Sequence, residues 1–417
     1  MKMIKMALLG GAALAVTAGV ARADELADLK AQVESLNARV AQMEAAPSVP
    51  TGYSLLTVHD GEASVAPGLT REERASWAGP ATVISVMPTA DAPAAATIDW
   101  NGYARAILHY YNLDVKGAVY ADEGDFYNVY ARGRLNMNAK TDTSVGEVGV
   151  SLRIEGNGDG HGDLYTDMPV AWGWWAMTPE LTLGGGYTGS LANIGFGYDG
   201  ACTCAGIDAA DVYANNGPGA TSDTSQMRLT YASGPLSFAV AVEDAVSGGA
   251  FDGGNLGVAG ELAYAGDTFS GEVSGMWRDT TDTVFVGADD TWAVGVGLGF
   301  NMDPVALSLA AGLGHTPAGG WAIPDNADYW YVNGLASMNL SDEIHMELGA
   351  GYKTYNPDMA ALSDMDIMSV MGGLYYSPVS QLTIGLEAEY ISTDNNHNFG
   401  GHDTEEVIVD LMTVYAF

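Results

Sequence analysis

Four arginines stand out for where they fall: Arg105, Arg132, Arg134 and Arg153. Arg132 and Arg134 share a period-two face with Asn136 and Asn138, opposite Leu135 and Met137. Arg153 shares one with Ser151 and Glu155, opposite Val150, Leu152 and Ile154. A face built this way is wet, and adjacent strands carrying it would join the four charges into a basic wall. Candidate counter-charges sit in the stretch 189–223, as Asp199, Asp208 and Asp211. The same stretch holds Cys202-Thr203-Cys204. An i,i+2 disulfide is the favoured reading there, because metal binding would need more ligands than two thiols and no nearby His supplies them. Asn157 to Asp163 echoes a calcium loop but lacks the distal Glu, so it reads as a solvated loop. His397 and His402 read as loop residues. No metal, cofactor or catalytic group is expected. A hydrolase would need a Ser and His pair, and His109 and His345 alternate inward without a distinctive Ser context.

The elements that must position these charges come after an export signal. Lys2 and Lys5 precede an apolar run from Met6 to Val20, and Ala21-Arg22-Ala23 offers a cleavage site, giving a signal peptide over 1–23. Residues 24–46 carry heptad positions at Leu26, Leu29, Val33, Leu36, Val40 and Met43, which predict a coiled-coil helix. Residues 47–96 read as a Pro, Ala and Ser-rich connector with strand-like stretches at Tyr53–Val58 and Ala81–Met87. The chain is 417 residues long with a formal net charge of −36, which excludes nucleic acid as a partner. No later stretch reaches the ~20 apolar residues of a membrane helix. A membrane role would therefore require a barrel.

From Thr97 to Phe417 the sequence divides into sixteen strand candidates, most with period-two alternation. In Leu382 to Tyr390, Leu, Ile, Leu, Ala and Tyr face one way while Thr383, Gly385, Glu387 and Glu389 face the other. Seven tight turns, such as Ser233-Gly234 and Ser341-Asp342, alternate with eight long gaps. That rhythm predicts an all-β, sixteen-stranded antiparallel transmembrane barrel over 97–417, with both ends on the side of the tight turns. Phe417 shares its face with Tyr415, Thr413, Leu411 and Val409 and reads as a terminal assembly signal. An Arg on the lipid face at mid-depth would cost about 2–4 kcal/mol, which puts the four arginines in the lumen.

The run Tyr130 to Thr141, continuing through Gly146-Glu147-Val148-Gly149 to Arg153-Ile154-Glu155-Gly156, resembles the second and third strands of the general porins of alphaproteobacterial outer membranes. The resemblance implies a homotrimer in the Gram-negative outer membrane, each barrel with its own pore narrowed by an inward-folded third loop. By position that loop is 189–223, its aspartates facing the basic wall across the constriction. A transverse field of that kind orients dipolar solutes. Residues 98–417 hold 42 acidic and 9 basic residues, so moderate cation preference is expected of a pore for small hydrophilic solutes and ions. The alternative is a solute-specific channel with a defined binding site. Lipids and the barrel assembly machinery are the other expected partners, and the helix at 24–46 would lie in the periplasm.

Overall fold

The computed structural model describes residues 56–70, 74, 77, 79–86, 96–117, 124–158, 164–197, 223–244, 256–279, 290–316, 327–358, 363–396 and 401–417. Two short strands come first, β1 (Leu56–Glu62) and β2 (Pro80–Val86). Sixteen longer ones follow. They are β3 (Ala96–Val115), β4 (Gly124–Thr143), β5 (Gly146–Gly158), β6 (Leu164–Ala176), β7 (Leu181–Gly189), β8 (Asp223–Ser233), β9 (Leu236–Asp244) and β10 (Leu256–Ala265). The ring continues with β11 (Phe269–Arg278), β12 (Thr291–Met302), β13 (Val305–Thr316), β14 (Ala327–Asn339), β15 (Ile344–Pro357), β16 (Met365–Val379), β17 (Leu382–Asn396) and β18 (His402–Ala416).

From β3 to β18 each strand pairs antiparallel with its chain neighbour, and β18 pairs back onto β3 from Thr404↔Val115 to Ala416↔Tyr103. The result is a closed sixteen-stranded barrel. Closure leaves no open edge, which is what a sheet needs inside lipid, where no water can satisfy a free N–H or C=O. The two faces follow the alternation in the sequence. On β17, Leu386 is exposed on the outside while Glu387 and Glu389 are buried on the inside. Outward Tyr231, Tyr264, Trp277 and Tyr415 are exposed near strand ends, where amphipathic rings suit a membrane interface. Pro169 lies where the β5–β6 register shifts between Arg153 and Glu155. A proline has no N–H to give a ladder, so a bulge is where it fits.

The seam of the barrel closes at the last residue. Phe417 ends the chain beside Gly102, each donating its backbone N–H to the other's carbonyl, at 3.0 and 3.1 Å. A Cβ on Gly102 would lie 2.1 Å from the Arg134 carbonyl oxygen, so only glycine permits that approach. Below that point β3 overhangs β18, and β2 takes the vacant edge, pairing Thr82↔Trp100 through Val86↔Ala96. β1 then pairs with β2. Both strands lie within the stretch expected as a connector, 47–96. Its strand-like segments form a hairpin within the same compact unit as the barrel, Leu56–Phe417. The signal peptide at 1–23 and the helix at 24–46 lie outside the described residues.

Candidate functional site: the barrel lumen

The structure brings the four arginines together. All point inward from β3, β4 and β5, and Arg105 and Arg132 are direct register partners. Like charges directly opposite on neighbouring strands are destabilising, so the pairing is not there for stability. Arg134 bonds Glu155 at 2.6 Å, its partner in register, and that carboxylate also lies 4.0 Å from Arg153. Arg153 donates to Asn136 at 2.9 Å. One wall carboxylate, Glu155, thus lies between two of the four cations. Tyr103 lies under the guanidinium of Arg134 at 5.2 Å and of Arg105 at 6.0 Å.

The long connection after β7 turns into the lumen at once. Ser190 bonds both Glu243 oxygens at 3.0 Å, and the backbone N–H of Ala192 returns to the Ser190 hydroxyl. Leu191 and Ala192 then pack on a strip of small inward side chains, Ala239, Ala241, Ala259 and Ala293. Farther round, Ile194 and Phe196 lie over Gly295, Gly297 and Gly299 of β12. A Cβ on Gly297 would be 2.4 Å from the Phe196 ring, and one on Gly295 would be 2.7 Å from Ile194. Gly197 has φ +85° and a Cβ there would strike Asn333, while its N–H reaches the Ser308 hydroxyl at 2.7 Å. The run of glycines in β12 is therefore a groove for this segment. In a ring of sixteen, β12 is eight strands from β4, so Phe196 rests on the wall facing the arginines. Asp199, Cys202, Cys204, Asp208 and Asp211 lie outside the described residues.

A second segment also occupies the lumen. Between β1 and β2 the chain enters on the side of the tight turns and docks on the inner faces of β3 to β8. Ser64 N–H bonds Asp99 at 3.0 Å, Asn138 donates to the Ser64 carbonyl, and Asn101 donates to the Trp77 carbonyl at 3.0 Å. Ala66, Leu69 and Trp77 pack with the inward-facing Val170, Trp172 and Trp174 of β6. Arg153 stacks 4.9 Å from the centre of the Trp77 ring.

Alternation also marks three further inward cations: Lys353, expected on the wet face with His345 and Glu347, and Arg228 and Arg278, which sequence reading passed over. Arg228, buried on β8, donates to the carbonyls of Gly68 and Gly189 and lies 5.2 Å from Trp172. Arg278 pairs with Glu243 at 2.8 Å. Lys353 sits among Tyr329, Tyr331 and Tyr355 at 4.9 to 6.0 Å. Buried inward carboxylates are Asp99, Glu155, Glu243, Glu261, Glu272, Glu347, Glu387, Glu389 and Asp410. His109 pairs with Asp410 at 2.8 Å, and His345 lies 2.9 Å from Glu347. Among the described residues no group of three His, Cys, Asp or Glu side chains is placed to hold a metal.

No family model matches the sequence, and no curated protein does. Solved structures do match in fold. The outer membrane channel DcaP of Acinetobacter baumannii superposes with a TM-score of 0.58 at 17% identity, over 77% of this chain and 97% of that one. OmpF of Salmonella typhi gives 0.57 at 15% identity, over 77% and 98%. The trimer form of OmpT of Vibrio cholerae gives 0.55 at 12%, over 77% and 99%. At these identities the likeness is one of fold, and the fold is that of outer-membrane porins.

Proposed function

We propose that this protein is an outer-membrane porin that passes small hydrophilic solutes and ions by diffusion, with moderate preference for cations. The observation that carries it is the course of residues 190–197, along a groove of small residues on the wall facing Arg105, Arg132, Arg134 and Arg153. In this reading 189–223 is the constriction loop, and Asp199, Asp208 and Asp211 supply the negative side of a transverse field. Inward carboxylates outnumber inward cations and enrich cations along the path. The arginine wall opposes them at one level, which keeps selectivity moderate. The chain works as a homotrimer, is delivered by the signal at 1–23, is inserted by the barrel assembly machinery, and holds its helix at 24–46 in the periplasm.

Reversal potentials across a bilayer in a salt gradient test the charge assignment. Arg132→Ala with Arg134→Ala should raise cation preference and conductance together. Asp208→Asn with Asp211→Asn should lower the preference. An anion-selective wild type, or no shift in either double variant, would overturn it.

A solute-specific channel is the second reading, and one feature favours it. The inward faces of β16 to β18 carry Met365, Ile367, Met371, Ile391, Ile408 and Met412, an apolar stretch that a purely hydrophilic sieve does not require. Concentration-dependent block of single-channel current by one solute class would select this reading. Ohmic conductance with no block would select the general pore.

A further inference from the structure

Two chain segments lie inside the barrel, and they enter from opposite ends. One is the start of the 189–223 connection. The other comes from the N-terminal hairpin and is described at residues 63–70, 74, 77 and 79. We infer that this insert forms a second constriction, at the end bearing the tight turns, and that it sets the size limit for solutes jointly with residues 190–197. The inference rests on the diffusion-pore reading and adds a specificity-determining element to it.

The insert is built in. Its entry is closed by Ala63 N–H to the Gly79 carbonyl at 2.9 Å, so the hairpin register of β1 and β2 fixes where it starts and stops. Trp77 is fully buried and Leu69 nearly so, though both belong to a segment that joins no barrel strand. They bury themselves against Trp172 and Trp174, which lie flat because Gly184 and Gly149 face them. A Cβ on either glycine would come within 2.2 Å of the indole. The wall is therefore shaped for an apolar cover. Burial of two large apolar side chains holds the segment against the entropy of release.

Arg228 couples the two constrictions. Its guanidinium reaches the Gly68 carbonyl of the insert and, at 2.6 Å, the Gly189 carbonyl where the loop departs. A buried arginine bonded to backbone carbonyls on two separate segments fixes their spacing. The insert also covers Arg153 through Trp77, which ties it to the basic wall.

The test replaces residues 64–78 with Asn-Gly, which closes β1 and β2 as a two-residue hairpin and leaves every barrel strand intact. A second variant, Leu69→Ala with Trp77→Ala, keeps the chain length and removes only the anchors. Both are reconstituted as full-length protein otherwise, and conductance and the polyethylene glycol size that fails to enter are measured. Two comparable resistances in series predict about a twofold rise in conductance on removing one, with a larger exclusion size. The anchor variant should move the same way with noisier open current. Wild-type conductance and exclusion size in both variants would overturn the inference and leave the pore reading standing. A wild type that conducts nothing while the hairpin variant conducts would overturn the shared size limit, the insert then being a full block. If neither conducts, the pore reading falls and the inference with it.

Discussion

Phe196 lies against Gly297 so closely that a methyl group on the glycine would come within 2.4 Å of the ring. This contact ties the long connection after β7 to the far wall of the lumen, and it explains why β12 alternates glycine with Val294, Val296 and Leu298. Lipid-facing positions keep their bulk, while inward ones give up theirs to the segment above. Glycine weakens a strand. Here the loss is offset by burial of Ile194 and Phe196.

The first prediction follows directly. Gly297→Val should push residues 194–197 off the wall toward the pore axis and lower single-channel conductance. Adding Phe196→Ala should restore it, because the smaller side chain vacates the space the valine needs. Such mutual dependence is the mark of two residues in contact. Wild-type conductance in Gly297→Val would show that the segment does not lie on β12.

Glu243 supports the second prediction. It accepts from Ser190 at the loop's root and from Arg278 on β11, and both ions are buried. Removing one partner of a buried pair costs about 3–5 kcal/mol, since the other charge is left behind, whereas replacing both with apolar groups is often near neutral. Glu243→Gln should therefore lower the temperature at which the folded barrel is lost on a gel. Glu243→Leu with Arg278→Met should recover most of it. A single variant as stable as wild type would mean that water in the lumen already solvates Arg278.

How much of this was legible beforehand differs by level. The barrel was, because alternation is a local property and the alternation of short and long gaps records the topology. The inward placement of Arg105, Arg132, Arg134 and Arg153 followed from the same rule, as did that of Glu387 and Glu389. Arg228 obeyed the rule too, in Thr224, Gln226 and Arg228 opposite Met227 and Leu229. It went unremarked because its partners, Gly68 and Gly189, are 160 and 39 residues away. The insert was illegible for a related reason. Residues 53–58 and 81–87 read as strand-like, but no local pattern says that the chain between them enters a lumen. Gly149 and Gly184 disclose their purpose only once Trp174 and Trp172 lie over them.

The last prediction concerns Phe417, which has two separable roles. Its backbone closes the seam with Gly102 through a reciprocal pair of hydrogen bonds. Its ring lies on the lipid face and is more than half exposed, so it adds little to packing. Phe417→Ala keeps both backbone bonds, whereas deleting the residue removes them, at a net loss of about 0.5–1.5 kcal/mol each. Purified protein refolded into detergent should therefore assemble normally as Phe417→Ala and be only modestly less stable as the deletion. In cells, both variants should leave less heat-modifiable protein in outer-membrane fractions if the ring is what the assembly machinery reads. Normal assembly of Phe417→Ala in cells alongside a defective deletion would assign the residue to seam closure alone. Normal assembly of both would remove it from the assembly signal, and Tyr415, on the same face two residues earlier, would be the next ring to test.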